Sequence, residues 1–179
     1  NEVILSGGDP LSLPDKQLAW LTEHIAAIPH STRLRIHTRL PVVIPQRLTD
    51  SLLHTLSNSR LQTVMVLHCN HLNEVDTAVA DAIGRLRRAG ITVLNQSVLL
   101  ANINDNADTL ADLSERLFAA GCLPYYLHVL DKVNGSHHFA LDDQRAVAIH
   151  RELQALLPGF LVPRLVRENA GEPSKSWLV

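Results

Sequence analysis

Polar and ionisable residues gather at six places along this chain, each at the end of a short apolar run. They are Ser6-Gly7-Gly8-Asp9, His37-Thr38-Arg39, His68-Cys69-Asn70-His71, Asn95-Gln96-Ser97, His128 with Asp131, and Arg167-Glu168. A single such group reads as a satisfied polar residue of a core. Six in succession read as the lining of a binding surface, and the chain as an enzyme or the remains of one.

The residue types narrow the chemistry. Gly7-Gly8 leaves backbone N–H groups without side chains, where an anion or the main chain of a ligand can come close. Arg39 adds a planar guanidinium fork suited to phosphate. His68 and His71 are three apart, a spacing that serves a metal on a helix. Here it follows a strand into a loop, so further ligands would have to come from elsewhere. His137 and His138 are adjacent, and their side chains need not converge. A phosphate-bearing ligand fits these residues better than a metal. Lys175 lies in the Gly/Pro/Ser stretch GEPSKS. Two readings are open for it: a mobile tail lysine, or an amine that forms a Schiff base if its surroundings lower its pKa.

The elements that carry these groups recur with regularity. Apolar runs at 2–6, 33–38, 63–68, 92–100, 124–130 and 160–166 alternate with helical patterns at 15–28, 45–58, 74–89, 107–120 and 142–156. The repeat of about 30 residues is that of a βα unit. Asp15 precedes the first helix, Pro45 opens the second, and Gly90 and Gly121 close the third and fourth. The strands look apolar nearly throughout, as in a parallel sheet covered by helices on both faces. The pattern predicts an α/β fold, a (βα) barrel or a piece of one, with a flavodoxin-like open sheet as the alternative. In either fold the carboxyl ends of the strands hold the ligand.

Composition sets the outer bounds. With 179 residues, 46% of them hydrophobic, the chain can bury one sizeable core, and a single domain over 1–179 is expected. A net charge of −2 and a pI near 6.6 provide no basic field for nucleic acid. The basic cluster GRLRRAG falls at a helix end, where it complements the dipole. No apolar run approaches the ~18 residues of a membrane span. Cys69 and Cys122 form no CxxC set, so a reduced, cytoplasmic setting is expected.

The segments SGGDPL, RLRIHTRLPVVIPQRLT, LNQSVLLANINDN, LPYYLHVLDKVNGSHHF and LVPRLVRENAGEPSKS, in this order over essentially the whole chain, resemble the lysine 2,3-aminomutase family. Within it they are most similar to the branch that makes β-lysine for modifying elongation factor P. The resemblance implies a partial TIM-like (βα) barrel of the radical SAM type, with the cofactor-lysine segment at 160–179. It implies an isomerase that converts L-lysine to β-lysine by 1,2-amino migration. Its cofactors would be S-adenosyl-L-methionine, pyridoxal 5′-phosphate and a 4Fe–4S cluster.

Carried onto this sequence, Ser6, Gly7, Gly8 and Asp9 match the segment along the amino-acid part of S-adenosylmethionine. His68 and Gln96 match further contacts to it, and Arg39 matches the arginine of the pyridoxal phosphate group. Lys175 falls on the lysine that carries this cofactor. Asp131 and Glu168 match two carboxylates that bind the substrate ammonium, which suits a diamine.

The chain also departs from the family pattern. The CxxxCxxC loop that ligates the cluster has no counterpart, so the metal ligands are expected upstream of EVILSGGDP, on the barrel's first strand. The chain is then expected to begin at the second strand and to be inactive alone. Leu72 stands where the family usually has Pro, and SWLV replaces its usual Thr-Pro-Leu. The stretch GEPSK favours the elongation factor P pathway over free lysine metabolism. A different class of reading is a non-catalytic barrel that binds pyridoxal phosphate or a nucleotide after losing the cluster segment.

Overall fold

A computed structural model describes residues 1–131, 137–169, 171–172 and 174–179. The chain divides into two compact units. The first comprises residues 1–68, 75–94 and 120–122, the second 69–74, 95–119 and 123–179.

In the first unit, strands β1 (Glu2–Leu5), β2 (Arg33–Thr38) and β3 (Gln62–His68) lie side by side in chain order, followed by the opening residues of β4 (Thr92–Leu99). β1 pairs with β2 and β2 with β3, both parallel. A flavodoxin-like sheet would put its first strand between the second and third. Here β2 is the central one, so the order is that of successive barrel units. The helices are α1 (Asp15–Ala26), α2 (Leu40–Val43), α3 (Asp50–Ser57) and α4 (Thr77–Arg88), with α1 against α3 and α2 against α4.

The second unit holds the end of β4, then α5 (Ala107–Ala120), β5 (Leu123–Val129), α6 (Asp143–Leu156), β6 (Arg164–Arg167) and β7 (Ser176–Trp177). β5 and β6 are parallel, and β7 runs antiparallel on β6. Its core joins Leu99, Leu110, Leu127, Ile149, Leu153 and Leu165.

Several boundaries differ from the sequence expectation. Asp15 is the first residue of α1, and Pro14 occupies the cap position. Pro45 opens a 3-10 turn, Pro45–Arg47, while α3 is capped by Thr49, whose hydroxyl accepts from the Leu52 N–H at 3.0 Å. The helix expected over 45–58 is therefore a 3-10 turn and a shorter helix, because a hydroxyl cap at Thr49 defines a new start. The run at 160–166 is a 3-10 turn at Gly159–Leu161 before β6 begins. Gly90 and Gly121 do follow α4 and α5, at φ +77° and +98°.

β3 and β6 bury consecutive residues, Met65–Leu67 and Leu165–Val166, but β2 and β4 are not buried on both faces. In β2, Leu34, Ile36 and Thr38 are buried while Arg33, Arg35 and His37 are exposed or half-buried. β4 alternates in the same way, with Val93, Asn95, Ser97 and Leu99 buried. Successive side chains point to opposite faces, so β2 and β4 each have one face fully covered and one partly covered.

Two arginines hold loops in the first unit. Arg60 donates to the carbonyls of Ala26, Ile28 and Ser31 at 2.6, 2.6 and 2.7 Å. Arg85, in the basic cluster, reaches the carbonyl of Leu48 and the carboxylate of Asp50, both at 2.6 Å.

Candidate functional site

In the first unit the site is built from three successive strand ends. After β1 the chain turns through Gly7 and Gly8 at φ +82° and +56°, a region that L side chains rarely adopt. A Cβ at either glycine would meet nothing within 4 Å, so the loop's backbone faces open space. Ser6 is exposed beside it.

Asp9 turns the other way, into the protein. Its Oδ1 accepts from the Leu11 N–H at 3.0 Å and the Thr38 hydroxyl at 2.6 Å. Its Oδ2 accepts from the N–H groups of Arg39 at 2.7 Å and Leu40 at 3.2 Å. Arg39, exposed, occupies the cap position of α2 directly after β2.

His68 closes β3, and its ring meets that of His37 edge to face, centroids 6.0 Å apart. Burial lowers the His68 pKa below the ordinary 6.5. The Asp9 carboxylate opposes this shift and Arg39 reinforces it. Burial thus favours the neutral imidazole, which can donate from one nitrogen and accept at the other.

The second unit contributes a different chemistry. The β6–β7 register pairs Val166 with Trp177 and Arg167 with Ser176. Just beyond the paired residues, the Lys175 ammonium donates to the Glu168 carboxylate. Lys175 also lies 5.9 Å from the centre of the Tyr126 ring. Tyr126 receives a hydrogen bond from the Tyr125 hydroxyl at 2.9 Å, and its ring is edge-on to His128 at 5.8 Å. The divergent SWLV end thus forms the strand that holds the lysine. Trp177 packs under Arg164, 4.6 Å from guanidinium to ring centre, and the Leu178 N–H donates to the Leu165 carbonyl at 3.1 Å.

Asp131 is exposed two residues beyond β5. Arg167 forms a two-pronged pair with Asp143, and these hydrogen bonds, helped by the charge of Asp131, raise its pKa. Of the two acids expected for substrate, Glu168 meets an ammonium and Asp131 faces the field of a guanidinium.

Some expected site residues have other duties. Asn95 and Ser97 are 2% and 5% exposed and lie on the covered face of β4. Asn95 exchanges hydrogen bonds with the backbone N–H and carbonyl of Cys69, both at 3.0 Å, and the Ser97 hydroxyl donates to the same carbonyl at 2.7 Å. Asn104, fully buried, donates to the carbonyls of Asn70 and Val98. This polar net ties the loop after β3 to β4 and is not a ligand surface. Gln96 points to the partly covered face, in the middle of β4 and not at its end.

His71 folds back on its own loop, its Nδ1 accepting from the Asn73 N–H at 3.2 Å. Among the described residues no three His, Cys, Asp or Glu side chains are placed to hold a metal ion. Cys69 and Cys122 are both buried. This chain's thiols do not fit an iron–sulfur cluster, which needs three or four together.

Sequence reasoning passed over Tyr126, which follows from period-two alternation, since it shares a face with His128 on β5.

No family model matches the sequence. The chain is 57% identical over 175 residues to L-lysine 2,3-aminomutase of Haemophilus influenzae, covering 98% of this chain and 52% of that protein. It is 56% identical over 176 residues to L-lysine 2,3-aminomutase of Escherichia coli, with the same coverage. The chain thus spans about half the length of the curated relatives it matches.

Among solved structures it is similar in fold to a radical SAM methyltransferase from Sphaerobacter thermophilus, with a TM-score of 0.56 and 13% identity over 76% of this chain and 41% of that one. It is likewise similar to anSMEcpe with bound AdoMet and a peptide, at a TM-score of 0.60 and 13% identity over 85% of this chain and 45% of that one. These likenesses are of the α/β fold.

Proposed function

We propose that this chain, which belongs over 98% of its length to the lysine 2,3-aminomutase family, is the cofactor- and substrate-holding portion of an isomerase that converts L-lysine to β-lysine. The observation that carries the reading is the β6–β7 register, which holds Lys175 beside Glu168 and over Tyr126 in a chain so close to the aminomutases.

When bound, S-adenosylmethionine with its 4Fe–4S cluster and pyridoxal phosphate supply the radical and electron-sink chemistry of the amino shift. The protein's own part is to bind and orient. The bare backbone at Gly7-Gly8, with Ser6 beside it, receives the amino-acid end of S-adenosylmethionine. His68 and Gln96 add contacts to that cofactor. Arg39 offers its fork to the phosphate of the pyridoxal cofactor, and the Lys175 amine holds that cofactor covalently. Glu168 and Asp131 accept hydrogen bonds from the substrate's side-chain ammonium. The cluster needs thiolates other than Cys69 and Cys122, from the remainder of the whole protein.

The Gly/Pro/Ser composition of the Lys175 loop favours a product destined for elongation factor P over one for free lysine metabolism, in a cytoplasmic setting. Among the described residues no helix is long and apolar enough to cross a membrane.

The test is the full-length protein under anaerobic conditions with S-adenosylmethionine, pyridoxal phosphate and dithionite. β-Lysine should form from L-lysine and serve as donor for elongation factor P in a coupled assay. A full-length protein that binds pyridoxal phosphate but takes up no iron and forms no β-lysine would establish the non-catalytic binding barrel instead.

A further inference from the structure

We infer that Asp9 is a positioning residue: it locks the Gly7-Gly8 loop and the Arg39 turn to each other and does not itself touch a ligand. The inference rests on the reading that these two segments hold S-adenosylmethionine and pyridoxal phosphate. It departs from the family resemblance, which puts Asp9 among the direct contacts.

The acceptor count carries the argument. An ionised carboxylate has about four lone-pair sites. Four donors converge on it: the Leu11 N–H and the Thr38 hydroxyl on Oδ1, and on Oδ2 the Arg39 N–H and the Leu40 N–H, the last shared with the Thr38 hydroxyl oxygen. The carboxylate is thereby committed to the protein's own donors and not to the ammonium of an amino-acid ligand.

The two segments joined need such a link. Gly7 and Gly8 have no side chains to pack, and the space around them is open. The loop therefore takes its position from the next residue in the chain, Asp9. On the other side, α2 receives no cap from the side chain of its own cap residue, Arg39. Asp9 supplies that cap from 30 residues upstream, as its Oδ2 accepts from the first N–H groups of the turn. Thr38, 1% exposed at the end of β2, completes the joint. One carboxylate thus sets the backbone donors for one cofactor and the guanidinium for the other.

The experiment uses the full-length protein and its Asp9→Asn, Thr38→Val and Arg39→Ala variants. Dissociation constants for S-adenosylmethionine and for pyridoxal phosphate are measured separately, with amide hydrogen exchange of Gly7, Gly8, Arg39 and Leu40 in the absence of ligand. Asn keeps the size of Asp9 but turns an amide N–H toward the donors of the Arg39 turn. Asp9→Asn should weaken both ligands about tenfold or more, roughly the loss of one charge-assisted hydrogen bond. Exchange should speed up at both segments together. Thr38→Val should show the same paired pattern at smaller amplitude, and it decides the matter if Asp9→Asn does not fold. Arg39→Ala should weaken pyridoxal phosphate alone and leave exchange at Gly7 and Gly8 unchanged.

A loss confined to S-adenosylmethionine in Asp9→Asn, with Thr38→Val unaffected, would make Asp9 a direct contact and overturn the inference. A fall in melting temperature with both affinities and both exchange rates unchanged would reduce it to a fold residue. Wild-type protein that binds neither ligand would refute the functional reading, while the exchange measurement still decides the role of Asp9.

Discussion

Lys175 donates a hydrogen bond to Glu168, seven residues earlier, because β7 folds back on β6 and brings the two side chains together just beyond the paired residues. A carboxylate that the family pattern gives to the substrate's ammonium thus holds the chain's own ammonium. Both are the same chemical group on a flexible stem, and Glu168 can serve either once the Lys175 amine is engaged elsewhere.

Glu168→Gln should therefore separate stability from binding. Glu168 is 63% exposed, and an exposed pair of this kind contributes less than about 1 kcal/mol to folding. Denaturant titration should show a change within that range. The KM for L-lysine should rise at least several-fold, since a charged acceptor for the substrate's ammonium is lost. An unchanged KM would remove Glu168 from the substrate site.

Lys175→Ala should abolish covalent capture of pyridoxal phosphate. Borohydride reduction of the full-length protein should leave the cofactor on the peptide containing Lys175, identified by mass spectrometry. Labelling that persists in the variant would place the reactive amine elsewhere.

Asn95→Ala tests the polar net beneath the loop after β3. It leaves the buried N–H of Cys69 without the Asn95 amide, while the Cys69 carbonyl keeps the Ser97 hydroxyl. A loss of about 1–3 kcal/mol in unfolding free energy is expected, the cost of one unsatisfied buried group. Affinity for pyridoxal phosphate in the protein that remains folded should not change. A variant of normal stability and impaired ligand binding would return Asn95 to the ligand surface.

His68 gives a pH dependence whose sign is set by burial. Its folded pKa is depressed, so the unfolded chain binds the proton more readily. The stability this provides is present above the unfolded value of about 6.5 and is lost as the pH falls through the lower folded value. Unfolding free energy measured from pH 7.5 to pH 5 should decline on acidification, and His68→Gln should flatten the decline. A decline that is as steep in the variant would assign it to other groups.

The 179-residue chain by itself should take up no 4Fe–4S cluster on anaerobic reconstitution, measured as iron and sulfide per chain, and should form no β-lysine. It has two cysteines, both buried, and soft thiolate ligands are what such clusters select. Stoichiometric cluster in this chain would reveal ligands of another kind.

What the sequence by itself determined is the succession of βα units and the strand ends where chemistry gathers. Those features are local. The bounds of β2 and α5 match their apolar and helical runs, and Gly90 and Gly121 end their helices because a positive φ is easiest for glycine. The short signal at Thr49 was overshadowed by Pro45, as both residue types open helical segments. Tertiary structure decided which polar residues are left open and which are buried. Asn95, Gln96 and Ser97 are consecutive and equally polar, yet the pleat turns Gln96 to the partly covered face and buries the others against Cys69. Asp9 reads as a ligand contact until the fold brings Thr38 and Arg39 to it across 29 and 30 residues. The meeting of Lys175 with Glu168 depends on β7, a two-residue strand with no periodicity of its own. Such a strand forms because β6 offers it an edge to pair with, and that edge exists only in the folded chain.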